Sequence, residues 1–242
     1  MRIYGIHPVE ELLQAAPESV TAIYYNKYES DRLQDVFGRA GTYGIACQSV
    51  DKQELDKMSD GGNHQGVIAQ TAGFDYVRIE DLLASTSEAD QAGILVLDQV
   101  QDVGNLGAML RTAAGLDFDG VVIPKDRAAP VTPAVVRTSA GCAFRIPVAR
   151  VTNIARTLEA MKEGGYWIVG TRQEQAEPVW DVDFDMKAGI VMGGEHRGMR
   201  RLVADSCDFY ATIPMATGVE SLNVASAAAV LMYEARRQWD AG

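Results

Sequence analysis

The run Gly93-Ile94-Leu95-Val96-Leu97-Asp98-Gln99-Val100-Gln101-Asp102-Val103-Gly104-Asn105-Leu106-Gly107-Ala108-Met109-Leu110-Arg111 decides the fold. Its first six residues, Gly93 to Asp98, are a short and mostly apolar run ending in a carboxylate, the length of a strand buried on both faces. From about Leu106 to Leu116 the apolar residues recur at helical spacing, and glycine and polar residues fill the turn between the two patterns. Strand-like runs recur at Gly120–Ile123, Phe144–Val148, Tyr166–Gly170, Gly189–Met192 and Tyr210–Pro214. Helical patterns fall between and after them at Pro133–Thr138, Asn153–Glu163, Gly198–Ala204 and Ser221–Trp239. Alternation at these intervals predicts an α/β fold with a parallel sheet covered on both faces, and ligands then belong at the carboxyl ends of the strands.

Towards the N-terminus the pattern is shorter. Helices are expected at Val9–Ala15, Ser30–Ala40 and Lys52–Met58, and extended segments at Ala22–Tyr25, Ala46–Val50 and Gly66–Gln70. This makes a small α/β unit over residues 1–73. Residues 74–92, with Glu80-Asp81, Ser85 to Ser87 and Glu88-Ala89-Asp90, read as a polar linker with one short helical turn. The large domain is then 93–242.

The chain of 242 residues is 47% hydrophobic, which excludes a disordered or fibrous protein. Cys47, Cys142 and Cys207 are odd in number and widely spaced, so neither a disulfide framework nor a zinc site is expected, and the compartment reads as reducing cytosol. His7, His64 and His196 are scattered, and no metal site is expected. No run reaches the length needed to span a bilayer, and the first residues lack the apolar core of a signal peptide.

The net charge of −11 would ordinarily argue against a nucleic-acid partner. The charge is uneven, however: residues 93–242 carry 15 basic against 18 acidic side chains, with local basic groups at Lys125 and Arg127 and at Arg197, Arg200 and Arg201. Net charge alone therefore does not exclude RNA.

Three strand-to-helix junctions carry the candidate chemistry. In the first, Gly104 and Gly107 let a ligand approach the main chain, but the first glycine of a dinucleotide fingerprint is missing. Taken singly, Asn105 reads as a helix cap and Arg111 as a solvated helix residue. The second junction, Gly189 to Met199, brackets Glu195 with Gly193, Gly194 and Gly198, a place where a flat ligand could lie against the backbone beside an acceptor. In the third, Ile213-Pro214-Met215 precedes Ser221-Leu222-Asn223 and an alanine-rich helix. Ser221 suits the helix start there, whereas Asn223 must find partners for two donors and an acceptor if buried.

Together these segments resemble the SpoU/TrmH group of the SPOUT RNA methyltransferases. The resemblance rests on Asn105 followed six positions later by Arg111, on Gly193-x-Glu195-x-x-Gly198, and on Ser221-Leu222-Asn223 after Ile213 to Met215, all in that order. Tyr4-Gly5-Ile6-His7-Pro8-Val9 and His64-Gln65-Gly66-Val67-Ile68-Ala69 resemble the substrate-binding domain of bacterial members that modify a guanosine of 23S rRNA. One departure is Val103, where the family commonly carries proline.

The resemblance implies a C-terminal SPOUT-type domain with a deep trefoil knot, a small N-terminal RNA-binding domain, S-adenosylmethionine as cofactor, RNA as partner and a homodimer packed through the knotted domain. It implies that Gly193, Ile213, Met215 and Leu222 hold the cofactor, and that Asn105, Arg111, Glu195, Ser221 and Asn223 arrange the ribose and its phosphate for 2'-O-methylation. A guanidinium stays protonated and is a poor base, so Arg111 is expected to stabilise the forming alkoxide, with phosphate or water accepting the proton. Basic groups near Arg127, Arg145 and Arg197 to Arg201 are expected to bind phosphate. The alternatives are a tRNA 2'-O-methyltransferase sharing the core and a noncatalytic RNA-binding scaffold of the same fold.

Overall fold

The structure, a computed structural model, describes residues 1–194 and 198–241. In chain order its first elements are β1 (Arg2–Tyr4), α1 (Ile6–Ala15), β2 (Val20–Asn26), α2 (Gln34–Thr42), β3 (Cys47–Val50), α3 (Lys52–Met58), β4 (Val67–Thr71) and α4 (Ile79–Ser85). The chain continues through β5 (Ala92–Asp98), α5 (Val103–Gly115), β6 (Gly120–Pro124), α6 (Pro133–Thr138), β7 (Val148–Val151) and α7 (Ile154–Glu163). It ends with β8 (Trp167–Thr171), β9 (Glu177–Pro178), β10 (Lys187–Gly193), α8 (Arg201–Asp205), β11 (Phe209–Thr212) and α9 (Val224–Trp239). Among the described residues no helix is long and apolar enough to cross a membrane.

Two compact units form, one from Met1–Asp75 with Val131–Arg145, the other from Tyr76–Pro130 with Ile146–Gly242. In the first, a four-stranded sheet of order β1-β4-β2-β3 is antiparallel except for the β2–β3 pair. Val9, Leu12 and Leu13 lie one helical turn or one residue apart on α1 and are fully buried, as are Ile23, Val67 and Ile68 of the sheet. The expected boundary at residue 73 therefore misses a piece. Residues 131–145 join this unit because α6 packs on β1 and because Arg145 forms an ion pair with Glu11 of α1.

The second unit is a seven-stranded sheet of order β7-β6-β5-β10-β8-β11-β9 with every pairing parallel. All seven residues of β5 are buried, which is why its sequence shows an unbroken apolar run rather than alternation. Ile154, Leu158 and Met161 of α7 cluster with Ile94, Val96, Val122, Ile168 and Val191. Leu106, Met109 and Leu110 of α5 and Leu231 and Met232 of α9 are also buried, and each such large side chain contributes about 1.5–3 kcal/mol. The far end of α9 is pinned by polar contacts: Trp239 Nε1 donates to the Phe184 carbonyl at 2.7 Å and Gln238 Nε2 to the Val182 carbonyl at 2.9 Å.

Four expectations need correction. The extended segment over Phe144–Val148 begins only at Val148, and Cys142–Phe144 forms a 3-10 turn instead. Gly141 enters that turn at φ +88, and a Cβ there would sit 2.3 Å from Glu11 Cβ, so the close approach to α1 sets the backbone. The linker 74–92 contains the seven-residue helix α4, whose Leu82 is buried in the core of the second unit. The helix expected over Ser30–Ala40 starts as a 3-10 turn, Lys27–Leu33, before α2. The last helix starts at Val224 rather than Ser221.

Candidate active site

The order β5-β10-β8-β11 sets a strand formed late in the chain beside the first strand of the unit, and a cavity of about 520 Å³ opens at the carboxyl ends of this group. That volume lies in the roughly 300–1,000 Å³ range of small-molecule sites. Thr171 ends β8, Met192 and Gly193 end β10, Ala211 and Thr212 end β11, and Ser221 to Val224 lead into α9; all of them line it. Ile213 and Met215 line it too, so Gly193, Ile213, Met215, Ser221, Leu222 and Asn223, far apart in sequence, share one wall.

Part of that wall is main chain. A Cβ on Gly193 would lie 2.3 Å from the Gly198 carbonyl carbon and 2.4 Å from Met199 N, so only glycine permits the two backbone segments to pass. Gly194 and Gly198 exchange two backbone hydrogen bonds, of 3.2 and 2.8 Å. Glu195 lies outside the described residues, as do His196 and Arg197 of the expected basic group.

Asn223 ties the third junction to the first. Its Oδ1 accepts from the Ala225 and Ser226 amides at 2.9 and 3.3 Å, capping α9, and this orientation turns Nδ2 outward, where it donates to Asn105 Oδ1 at 2.9 Å. Asn105 is not the cap of α5. Asp102 is, accepting from the Asn105 amide at 2.7 Å, which leaves the Asn105 side chain to face Asn223. Likewise Ser221 caps nothing and lies exposed at the cavity. Arg111 is not brought there: six residues beyond Asn105 it points about 120° away around the helix, and it is exposed outside the cavity lining.

The structure adds residues that the motifs did not single out. Asp98 is fully buried and accepts from the Arg200 amide at 2.7 Å and from Arg200 Nε and Nη2 at 2.8 and 2.6 Å. It thereby fastens the segment after Gly198 to the end of β5. A lone carboxylate closing an apolar strand was the available signal. Thr171 Oγ1 donates to the Val191 carbonyl at 3.1 Å. The Arg172 guanidinium lies 3.5 Å from the centroid of the Tyr210 ring, and burial is the main cause raising the Tyr210 pKa. Behind the wall, burial pushes the Cys207 thiol up to about 12 and keeps it neutral.

Residues 92–233 match the SpoU rRNA Methylase family, and residues 2–77 match the RNA 2'-O ribose methyltransferase substrate binding domain. The chain belongs to the SpoU rRNA methylase family. YacO of Bacillus subtilis (strain 168), named for the TrmH family of tRNA/rRNA methyltransferases, is 45% identical over 86% of this chain and 83% of its own length. The 23S rRNA (guanosine-2'-O-)-methyltransferase RlmB of Vibrio cholerae is 40% identical over 98% of this chain and 96% of its own. Among solved structures, the SpoU methyltransferase AviRb of Streptomyces viridochromogenes in complex with AdoMet superposes with a TM-score of 0.81 at 26% identity, covering 100% of this chain and 91% of that one.

Proposed function

We propose that this chain methylates a ribose 2'-hydroxyl of RNA with S-adenosylmethionine as donor, and that the acceptor is a guanosine of 23S rRNA. The observation that carries the reading is the shared cavity wall of Gly193, Ile213, Met215 and Leu222 beside the Asn223–Asn105 bond. The donor set fits the cofactor: apolar side chains of Met192, Ile213, Met215, Leu222 and Leu231 offer a slot for a flat base, and the glycine wall offers main-chain groups. When bound, S-adenosylmethionine supplies an electrophilic methyl group.

The chain's own residues do the rest. Ser221 and Asn223 stand at the cavity rim, with Asn105 joined to Asn223, and hold the ribose; positioning of this kind can supply much of the rate. Arg111 stabilises negative charge on the attacking oxygen as its proton passes to water or an RNA phosphate. Glu195 of the Gly193-x-Glu195-x-x-Gly198 motif is the acceptor that acts with them. The first unit, which holds most of the matched residues 2–77, selects the RNA, and the likeness over nearly the whole chain to a 23S rRNA methyltransferase favours rRNA over tRNA.

The protein works in the cytoplasm as a homodimer. Support for the dimer comes from α5 and α9, which pack together yet leave Val103, Val230 and Tyr233 exposed. Such a face also gives Arg111, which is exposed on α5, a route to the cavity of the partner subunit.

The test is to incubate the purified chain and methyl-labelled donor with 23S rRNA and tRNA lacking the modification, and to map the labelled ribose. Label at one guanosine of 23S rRNA is expected. Label in tRNA alone moves the acceptor, and label in neither RNA leaves the noncatalytic scaffold.

A further inference from the structure

In this acidic chain Lys125, Arg127 and Arg150, none of them in an ion pair among the described residues, gather at one place on the carboxyl edge of the large sheet, with exposed Asp126 between the first two. Ile123 of β6 pairs with Arg150 of β7, and Pro124 with Val151, so the residues that follow β6 leave beside Arg150. The Arg150 guanidinium donates to the Lys125 carbonyl at 3.0 Å and lies 5.5 Å from the centroid of the Tyr76 ring, which holds its charge at the rim. Lys125 donates its amide to the Val151 carbonyl at 2.7 Å. Two residues on, Arg127 is exposed and adopts φ +59, a left-handed conformation that a long side chain seldom takes. None of Lys125, Arg127 and Arg150 has a carboxylate partner among the described residues. Of the other basic side chains expected to bind phosphate, Arg145 is paired with Glu11, Arg200 with buried Asp98 and Arg201 with Asp205, and Arg197 lies outside the described residues.

The loop that carries these cations leads back to the candidate active site. The Ala129 amide donates to the Val100 carbonyl at 3.0 Å, so residues 125–129 arch from the end of β6 to the end of β5, just before the Asp102 cap and Asn105. Only β5 stands between β6 and β10, which places the loop about 10 Å along the sheet edge from the Gly193 wall at ordinary strand spacing. A polyanion whose reacting sugar sits at Asn105 and Asn223 would cross this loop next.

We propose that Lys125, Arg127 and Arg150 form a docking surface for the phosphodiester backbone of the RNA strand next to the methylated nucleotide. This rests on the function proposed above and assigns its phosphate contacts to three residues. The contacts orient the strand and carry no sequence information of their own.

Each phosphate neutralised on single-stranded RNA contributes about 0.7 to the slope of log affinity against log salt. Replacing all three residues by alanine in the full chain should therefore flatten the slope by about 2 and weaken binding about a hundredfold at 0.1 M salt, with the difference vanishing towards 1 M. The probe is unmodified 23S rRNA transcribed in vitro, and S-adenosylhomocysteine affinity should stay unchanged. Arg127→Gly keeps the measurement sound if the triple variant folds poorly, because glycine accepts φ +59 without strain and only the charge is lost. Its slope should fall by about 0.7. Lys162→Ala removes a cation paired with Asp208 beside the opposite, amino edge of the sheet and should leave the slope alone. An unaltered slope in the triple variant and in Arg127→Gly, while the parent methylates rRNA, overturns the surface and spares the function. A parent that binds rRNA and transfers no methyl overturns the function itself.

Discussion

Asn223 does two jobs with one amide, and they can be separated. Its oxygen caps α9 and its nitrogen reaches Asn105. Asn223→Ala removes both, and loss of the cap alone costs about 1 kcal/mol. Asn223→Asp keeps an acceptor at the helix start, where a carboxylate is favoured by the dipole, but it removes the donor. Asn105 must then turn its own amide over to donate, which reverses the group it presents on its other side. Asn223→Asp should melt within a few degrees of the parent and lose at least tenfold in methyl transfer, measured by calorimetry and label incorporation. Equal activity at equal stability would mean that the link has no part in the reaction. The sequence made Asn223 legible as a polar side chain in need of partners, and its capping role was instead assigned to Ser221. That error has a local cause, because either residue has the side chain for a cap and only the path of the backbone after Ile213 decides which one faces the free amides.

At the scale of elements, what the sequence showed and what it hid follow from where each element's conformation is determined. The buried strands β5, β6 and β10 and the helices α5 and α7 carry their own periodicity, so they were legible to within a few residues. The 3-10 turn at Cys142–Phe144 was not, because its shape comes from contact with α1 on a segment more than a hundred residues earlier. β1 and β9, of three and two residues, are too short to show a period. The cavity wall after β10 is intermediate: its glycines were visible, but the reason for them is the crossing of Gly193 over Gly198 and Met199. Gly193→Ala places a methyl group against backbone that no rotamer change can move. The sheet beneath stays anchored by β5 and β8 on either side, so the variant should fold with a modestly lower melting temperature. Its affinity for S-adenosylhomocysteine should fall more than tenfold by calorimetric titration, and retention of affinity would show that the wall gives way cheaply. Asp98→Ala should act more on stability than on binding. It strips a buried pair of one partner, a change that costs about 3–5 kcal/mol where the remaining charge is also buried and less here, because Arg200 is partly exposed.

For the whole molecule, the interleaving of the two units changes what truncation can test. Deleting residues 1–73 removes β1 and α1 and leaves residues 131–145, which pack with them, without a partner. Val135, Val136 and Ala143, all buried in the intact chain, would be laid open. The truncated protein should bind an apolar dye and melt well below the parent, so loss of RNA affinity in it would not isolate the N-terminal contribution. The placement of Arg111 calls for a test at the same scale. It lies exposed outside the cavity, although the proposed mechanism sets its cation beside the attacking oxygen. If the proposed dimer supplies it across the two-fold axis, each site takes Asn223 from one subunit and Arg111 from the other. Arg111→Ala and Asn223→Asp protomers each fall at least tenfold in activity alone in that case, but a dimer made of one of each holds one site with both residues intact. Random mixing at equal amounts then restores about a quarter of the parent's activity, since half the dimers are mixed and each has one good site of two. A cation acting within its own chain predicts no recovery, because every site in the mixed dimer then lacks one group or the other. The measurement is label incorporation after the two variants are unfolded, mixed and refolded together, with the parent carried through the same cycle as the reference.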